Sequence, residues 1–118
     1  MAKPVLIVDD NPNMSSLLAD MLEVFDCPSV RAADGQQALA ELEGQNFSMV
    51  ITDMRMPNMT GLELLEKVKA KHPRLPVVLI SGYSVAEFSS EVGDIKPDGF
   101  LAKPFMMSDI EKLLNTFL

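Results

Sequence analysis

Polar side chains follow four short apolar segments of this 118-residue sequence. A carboxylate can serve as a nucleophile or bind a hard cation. A hydroxyl can donate a hydrogen bond, and an ammonium group can neutralise developing negative charge. In chain order these residues are Asp9, Asp10, Asp53, Ser81 and Lys103. If the fold brings them together, they form a candidate site for Mg²⁺ and phosphoryl chemistry.

The three aspartates are the informative part of this set. Two like charges about 4 Å apart repel by roughly 4 kcal/mol at an effective dielectric near 20. Three neighbouring carboxylates therefore raise one another's pKa or require a cation, and an all-oxygen site with few protein ligands suits Mg²⁺. The alternative is that these residues only cap helices and form turns. That alternative explains Asp9 or Asp10 singly, but it explains the whole set poorly.

Short apolar runs predict the strands that position these side chains. Val5–Val8, Met49–Ile51 and Val77–Ile80 are continuous apolar runs, which is typical of strands buried on both faces of a parallel sheet. Ser29–Ala32 and Gly99–Ala102 are weaker strand candidates. The carboxyl ends of parallel strands meet at one edge of a sheet, which is where ligands bind in open α/β folds.

Helical patterns with capping signals separate these strands. Apolar residues recur at helical spacing, as from Met14 to Phe25, and the last three predicted caps have Glu three residues later. The predicted capping residues are Asn11, Asp34, Thr60, Ser84 and Ser108. The strand–helix alternation predicts an α/β fold with a doubly wound, five-stranded parallel sheet in one domain, residues 1–118. The predicted helix around Ser84–Val92 has the weakest pattern.

Composition excludes several classes of function. The net charge is −7, which argues against binding to nucleic acid or to an anionic membrane surface. The single cysteine, Cys27, predicts neither an intramolecular disulfide nor a zinc site. No segment approaches the roughly 20 apolar residues of a membrane span, and no signal peptide is recognised. We therefore expect a cytoplasmic protein.

Four motifs resemble those of the receiver domains of two-component response regulators. They cover essentially the whole chain in the family's order: Val5–Asn11, Ile51–Pro57 with Gly61, Val78–Tyr83 and Gly99–Phe105. The resemblance implies the flavodoxin-like (βα)₅ receiver fold. It also implies a signalling switch that catalyses only its own phosphotransfer and dephosphorylation, and not an enzyme.

The resemblance assigns a role to each residue of the candidate site. Asp53 matches the phosphoacceptor. Asp10 and Asp53 match the direct carboxylate ligands of Mg²⁺, Asp9 the acidic residue that acts through water, and Arg55 the residue whose backbone carbonyl is a further ligand. Lys103 matches the lysine that pairs with the phosphoryl group. The site-flanking residues on this interpretation are Met54, Gly82, Tyr83 and Pro104.

The resemblance also implies how the switch works. Ser81 matches the hydroxyl residue that bonds the phosphoryl group. Phe100 stands where the family usually has tyrosine, and we expect its ring to change rotamer without the tyrosine hydroxyl. Pro104 follows Lys103, as in the family, where this peptide bond is often cis. Arg55 and Tyr83 are expected to screen the acyl phosphate from water.

The implied partners are a histidine kinase or histidine phosphotransfer protein and a downstream effector protein or domain. The output surface would include the fourth and fifth predicted helices and the fifth strand, and it would allow a phosphorylation-dependent homodimer. Met54, Met56 and Met59 around the acceptor, with Met106 and Met107, are expected to be exposed and to form an adaptable partner surface.

Two alternatives stay open at this point. A degenerate receiver would act only as a protein interaction module, although every phosphotransfer position holds a competent residue. A small Mg²⁺-dependent phosphatase would also use an aspartate nucleophile, but its usual Asp-x-Asp pair is absent because Arg55 stands two residues after Asp53. The sequence does not distinguish a free-standing receiver from one that belongs to a longer regulator.

Overall fold

Five parallel strands form one sheet in the order β2-β1-β3-β4-β5. The computed structural model of the chain describes residues 3–56, 58–81 and 97–118. The strands are β1 (Val5–Val8), β2 (Ser29–Ala32), β3 (Met49–Asp53), β4 (Val77–Ser81) and β5 (Gly99–Ala102). All neighbouring pairs are parallel. The predicted parallel sheet is confirmed.

Four helices are described, and they connect or follow the strands as predicted. They are α1 (Pro12–Val24), α2 (Gly35–Gly44), α3 (Gly61–Lys71) and α4 (Met107–Phe117). The α4 helix is the predicted final helix, and the helix predicted around Ser84–Val92 lies outside the described residues. None of the described helices is long and apolar enough to cross a membrane.

The central strand β1 shows how the sheet is covered on both faces. Each of its four side chains is fully buried, and successive side chains point to opposite faces of the sheet. Val5 and Ile7 belong to a core cluster with residues of α1 and α4. Leu6 and Val8 belong to a second cluster with residues of α2 and α3. A continuous apolar run is therefore the pattern that this strand requires.

Three of the predicted caps are present. The side chains of Asn11, Asp34 and Thr60 each accept a hydrogen bond from a backbone N–H in the first turn of their helix. These bonds satisfy N–H groups that have no partner inside the helix. Helices α1, α2 and α3 therefore begin where their capping residues predict.

The predicted start of the final helix is wrong. Helix α4 begins at Met107, so Ser108 lies inside its first turn. The Asp109 carboxylate accepts a hydrogen bond of 2.7 Å from the backbone N–H of Met106. Asp109 thus makes, two residues earlier, the contact that the pattern assigned to Glu111. Starting earlier also packs Met107 against the core cluster on the α1 side.

Candidate functional site

The candidate site lies at the carboxyl edge of the sheet, where β1 and β3 are neighbours. Val8 pairs with Thr52 in the register of these strands, so Asp9 and Asp53 follow adjacent positions. Each of Asp9, Asp10 and Asp53 offers a carboxylate oxygen, and the three oxygens all lie within 4.8 Å of one another. The structure therefore brings together the three predicted carboxylates.

Asp9 is the buried member of this acidic cluster. Its residue exposure is 3%, and its Oδ1 accepts a hydrogen bond of 2.9 Å from the backbone N–H of Asn11. Its Oδ2 is buried and has no hydrogen-bond partner within the described part of the chain. Burial raises the pKa of this carboxyl, the hydrogen bond from Asn11 opposes that change, and the charge of Asp53 adds to it.

Asp53 also lies near a positive charge, which comes from the residue that follows β5. Lys103 directly follows β5, and its Nζ lies 3.8 Å from Oδ2 of Asp53. The Asp53 side chain is 15% exposed, so it is largely enclosed but still has access to solvent. The Lys103–Pro104 peptide bond is cis, as the resemblance implied. The Asp53 carboxylate thus lies between the carboxylates of Asp9 and Asp10 and the ammonium group of Lys103.

The loop after Asp53 is held close to this residue by hydrogen bonds of the backbone. The Met54 N–H donates to the Ile80 carbonyl at 3.0 Å, and the Gly61 N–H donates to the Met54 carbonyl at 2.8 Å. The Arg55 N–H lies 3.4 Å from Oδ1 of Asp53. Asn58 has a φ of 70°, a left-handed conformation that asparagine tolerates better than most residues. These contacts keep the backbone of Arg55 beside Asp53.

The expectation that the methionines of this loop are exposed is wrong. Met54, Met56 and Met59 are only 4–9% exposed, and all three belong to the core cluster on the α2 and α3 side. The loop folds inward because these apolar side chains fill the space beside the sheet. Met106, in contrast, is 69% exposed. The three loop methionines are therefore part of the core and do not form a partner surface.

Other residues assigned by the resemblance lie at different places. Ser81 ends β4 opposite Ala102 of β5, but its side chain, like Gly82 and Tyr83, is outside what the structure describes. Phe100 is half-buried against the cluster on the α2 and α3 side. Arg55 and Pro104 are exposed. The screening by Arg55 and Tyr83 and the rotation of Phe100 stay predictions.

The acidic cluster fits a hard divalent cation by the chemistry of its donor atoms. All its ligand atoms are carboxylate oxygens, and one of them is buried without a partner in the described residues. A buried polar atom without a partner is unfavourable. Mg²⁺ prefers oxygen ligands and retains several waters, which suits a cluster whose third member, Asp10, is exposed. The residues present therefore form a candidate metal centre.

The close approach of Gly61 to the backbone of Asp53 and Met54 was not predicted from the sequence. In the sequence, Gly61 stands out only as part of the second receiver-type motif. In the structure, a Cβ on this residue would lie against the Asp53 carbonyl oxygen and only 2.8 Å from Cα of Met54. Its spacing after Asp53 and its place before an amphipathic helix were the available signals.

Fold and site together define a receiver-type α/β protein with an acidic centre and a facing lysine. The family model described as "Response regulator receiver domain" matches residues 5–115, and the chain therefore belongs to that family. Receiver domains of this family are switches of two-component signal transduction.

Individual relatives show the same relationship. The nitrogen assimilation regulatory protein NtrX of Azorhizobium caulinodans is 38% identical over 109 residues, which cover 89% of this chain and 24% of NtrX. The chain spans about half or less of the length of several curated relatives that it matches.

Solved structures agree over nearly the whole fold. The chemotaxis protein CheY4 of Vibrio cholerae has a TM-score of 0.91 and 28% identity, with 100% of both chains covered. The response regulator TrrA of Thermotoga maritima, solved in complex with Mg²⁺-BeF, has a TM-score of 0.89 and 28% identity. The match covers 98% of this chain and 99% of that one.

Proposed function

We propose that this chain is a phosphorylatable receiver in which Asp53 accepts a phosphoryl group from a phosphohistidine. The donor would be a histidine kinase or a histidine phosphotransfer protein. The observation that carries this proposal is the placement of Asp53 between two carboxylates and Lys103. The acidic oxygens lie within 4.8 Å of one another, and the Lys103 ammonium lies 3.8 Å from Asp53.

The transfer requires one bond to form and one to break. An Asp53 oxygen attacks phosphorus, the P–N bond of the phosphohistidine breaks, and the bonding pair leaves with the imidazole nitrogen. The product is an acyl phosphate on Asp53. Lys103 neutralises the oxygens of the transferring group from its side.

The metal site would neutralise the other side of the transferring group. Asp10, Asp53 and the backbone carbonyl of Arg55 would hold Mg²⁺ directly, with Asp9 acting through water. When bound, the ion supplies positive charge to the phosphoryl oxygens and orients them for in-line attack. The related TrrA was solved in complex with Mg²⁺-BeF, which supports Mg²⁺ as the bound ion.

Output would follow from the charge added at Asp53. Phosphorylation adds about −1.5 to −2 charges and three acceptor oxygens. Lys103 follows β5, and Ser81 ends β4, so attraction of these residues to the phosphoryl group biases both strands. We expect the half-buried ring of Phe100 on β5 to respond and to alter the surface of β5 and α4. That surface would bind an effector protein or domain, or a second copy of this chain.

The test is an amide NMR titration with beryllofluoride, a phosphoryl mimic, with and without Mg²⁺. We expect Mg²⁺-dependent binding in the wild type, with shifts that extend from Asp53 to Phe100 and α4. Asp53→Asn should abolish the response, because it removes the carboxylate to which beryllium binds. Asp20→Asn, an exposed substitution on α1, serves as the charge-matched control and should respond like the wild type.

Binding of Mg²⁺ without any beryllofluoride response would contradict the proposal. That result would favour a degenerate receiver that acts only as an interaction module. Turnover of a phosphate ester by the wild type but not by Asp53→Asn would instead favour a phosphatase.

A further inference from the structure

A set of polar contacts joins α3, β4 and the start of β5 at the end of the sheet opposite the acidic cluster. The Asp98 carboxylate accepts a hydrogen bond of 2.8 Å from the Val77 N–H and pairs with Lys69 at 2.5 Å. The Asp98 N–H donates to the Val77 carbonyl at 2.9 Å. Lys69 also donates to the Leu75 carbonyl at 2.7 Å. We call Lys69, Asp98 and Val77 the entry clamp of β5.

The entry clamp lies at the start of a short strand, whose register is also supported by its pairing with β4 and by the burial of Leu101. In the described sheet β5 is an edge strand of four residues, paired only with β4. Asp98 engages both peptide groups of Val77, one through its side chain and one through its backbone. This contact immediately precedes the pairing of Val78 with Gly99. Asp98 is therefore placed to favour this register of β5 over registers that are shifted by one residue.

The register of β5 determines where Lys103 lies. A shift by one residue moves a strand by about 3.3 Å and turns each side chain to the other face of the sheet. Lys103 directly follows β5, and its ammonium is 3.8 Å from the Asp53 carboxylate. A displacement of that size would separate the two groups, whose interaction depends on their distance.

We propose that Asp98, held by Lys69, is a positioning residue for phosphoryl acceptance, because the entry clamp sets the register of β5 and thereby the distance between Lys103 and Asp53. This inference rests on the proposed function of Asp53. The residue does not touch the reacting atoms. It acts through the short strand that joins it to Lys103.

The experiment compares Asp98→Ala and Lys69→Met in the wild type and in a Lys103→Ala background. Lys71→Met is the matched control, since Lys71 lies on the same helix and forms an exposed ion pair with Glu43 at 3.4 Å. Asp98→Asn keeps an acceptor for the Val77 N–H but loses the ion pair. It keeps the test possible if Asp98→Ala does not fold. Thermal unfolding reports the stability of each variant.

The first measurement is the rate of phosphorylation by acetyl phosphate at saturating Mg²⁺. We expect Asp98→Ala to lower the rate about tenfold in the wild-type background, since misplacing a catalytic group by about 1 Å can cost more than that. In the Lys103→Ala background the same change should have less than about a twofold effect, because the residue that it positions is absent. Lys69→Met and Asp98→Asn should give smaller effects of the same kind, and Lys71→Met none.

The second measurement is binding of Mg²⁺ alone by calorimetry. Removing the Lys103 charge from the acidic cluster should tighten Mg²⁺ binding about two- to threefold. Asp98→Ala should reproduce this gain and add nothing in the Lys103→Ala background. General loosening of the fold would weaken binding, so the sign separates positioning from loss of stability.

Equal effects of Asp98→Ala in both backgrounds would overturn the inference, as would a similar effect of Lys71→Met. A wild type that takes no phosphoryl group would instead contradict the proposed function. In that case the Mg²⁺ affinities alone decide whether Asp98 positions Lys103.

Discussion

Asp9 carries an unusual combination of burial and charge. One of its carboxylate oxygens is hydrogen-bonded to the backbone of Asn11, and the other is buried with no partner in the described residues. Asp53 and Asp10 add like charge nearby. This arrangement costs folding free energy unless a cation is present. The acidic cluster therefore favours metal binding at the expense of stability in the metal-free protein.

We expect Asp9→Asn to stabilise the metal-free protein by about 1 kcal/mol at neutral pH, since it removes a buried, poorly partnered charge. The raised pKa of Asp9 means that the folded state binds its proton more readily than the unfolded state does. The penalty is thus fully present above the raised pKa and disappears as the pH falls toward the ordinary value of 3.8. Urea unfolding across this range, without Mg²⁺, measures the difference.

The exposed Asp20→Asn substitution on α1 is the control for this comparison. Two results would contradict this account of Asp9. One is a difference in unfolding free energy between Asp9→Asn and the wild type that does not change with pH, and the other is an Asp9→Asn protein that is less stable than the wild type.

At the scale of elements, the close approach of Gly61 to the end of β3 limits which residues the turn from β3 into α3 can hold at this position. A Cβ at Gly61 would press on the backbone of Asp53 and Met54, and only 2.8 Å would separate it from the Met54 Cα. Backbone atoms cannot rotate away as a flexible side chain can. A shift of the first turn of α3 would therefore also move the backbone of Asp53 and Met54.

We expect Gly61→Ala to lower the free energy of unfolding by about 2 kcal/mol, as overpacking does in other cores. It should also weaken Mg²⁺ binding, because the shift reaches the acceptor strand. Gly44→Ala is the matched control, since a Cβ at this last residue of α2 meets nothing within 4 Å. It should leave stability unchanged or raise it by about 0.5 kcal/mol. Equal stability of the two variants in urea would show that the turn tolerates a side chain.

At the scale of the whole molecule, the charge of −7 and the acidic cluster act in the same direction. Both make the folded protein sensitive to cations, but in different ways. Sodium screens the general repulsion between charges. Mg²⁺ would in addition bind the folded state specifically, and binding to the folded state alone raises stability by mass action.

We therefore expect Mg²⁺ at ten times its dissociation constant to stabilise the wild type by about 1.4 kcal/mol. Sodium chloride at equal ionic strength should give clearly less. Asp53→Asn should lose most of the specific gain, because it removes one proposed ligand. Thermal unfolding in the two salts measures this, and equal gains from both would contradict a specific metal site.

Much of the fold and the position of the site could be predicted because their signals are local. The continuous apolar run of β1 and the caps at Asn11, Asp34 and Thr60 each involve residues near one another in the chain. Parallel strands place their carboxyl ends at one edge. Asp9, Asp53 and Lys103 were therefore expected at the same edge of the sheet.

Some of the features that were missed depend on contacts between distant segments of the chain. Others depend on a choice between two local patterns that predict different structures. The acceptor-loop methionines have no periodicity that shows their burial, because a loop folds inward only where the packed helices leave space. The start of α4 was missed because Asp109 and Glu111 offer the same capping contact two residues apart.

The sequence by itself determined the order of the elements and the chemistry available at the strand ends, because hydrophobic periodicity and capping act over a few residues. The tertiary structure alone decided the pairing of Lys69 with Asp98, the inward course of the Asp53 loop and the burial of an Asp9 oxygen that has no partner among the described residues. These properties arise only when segments far apart in the chain come into contact.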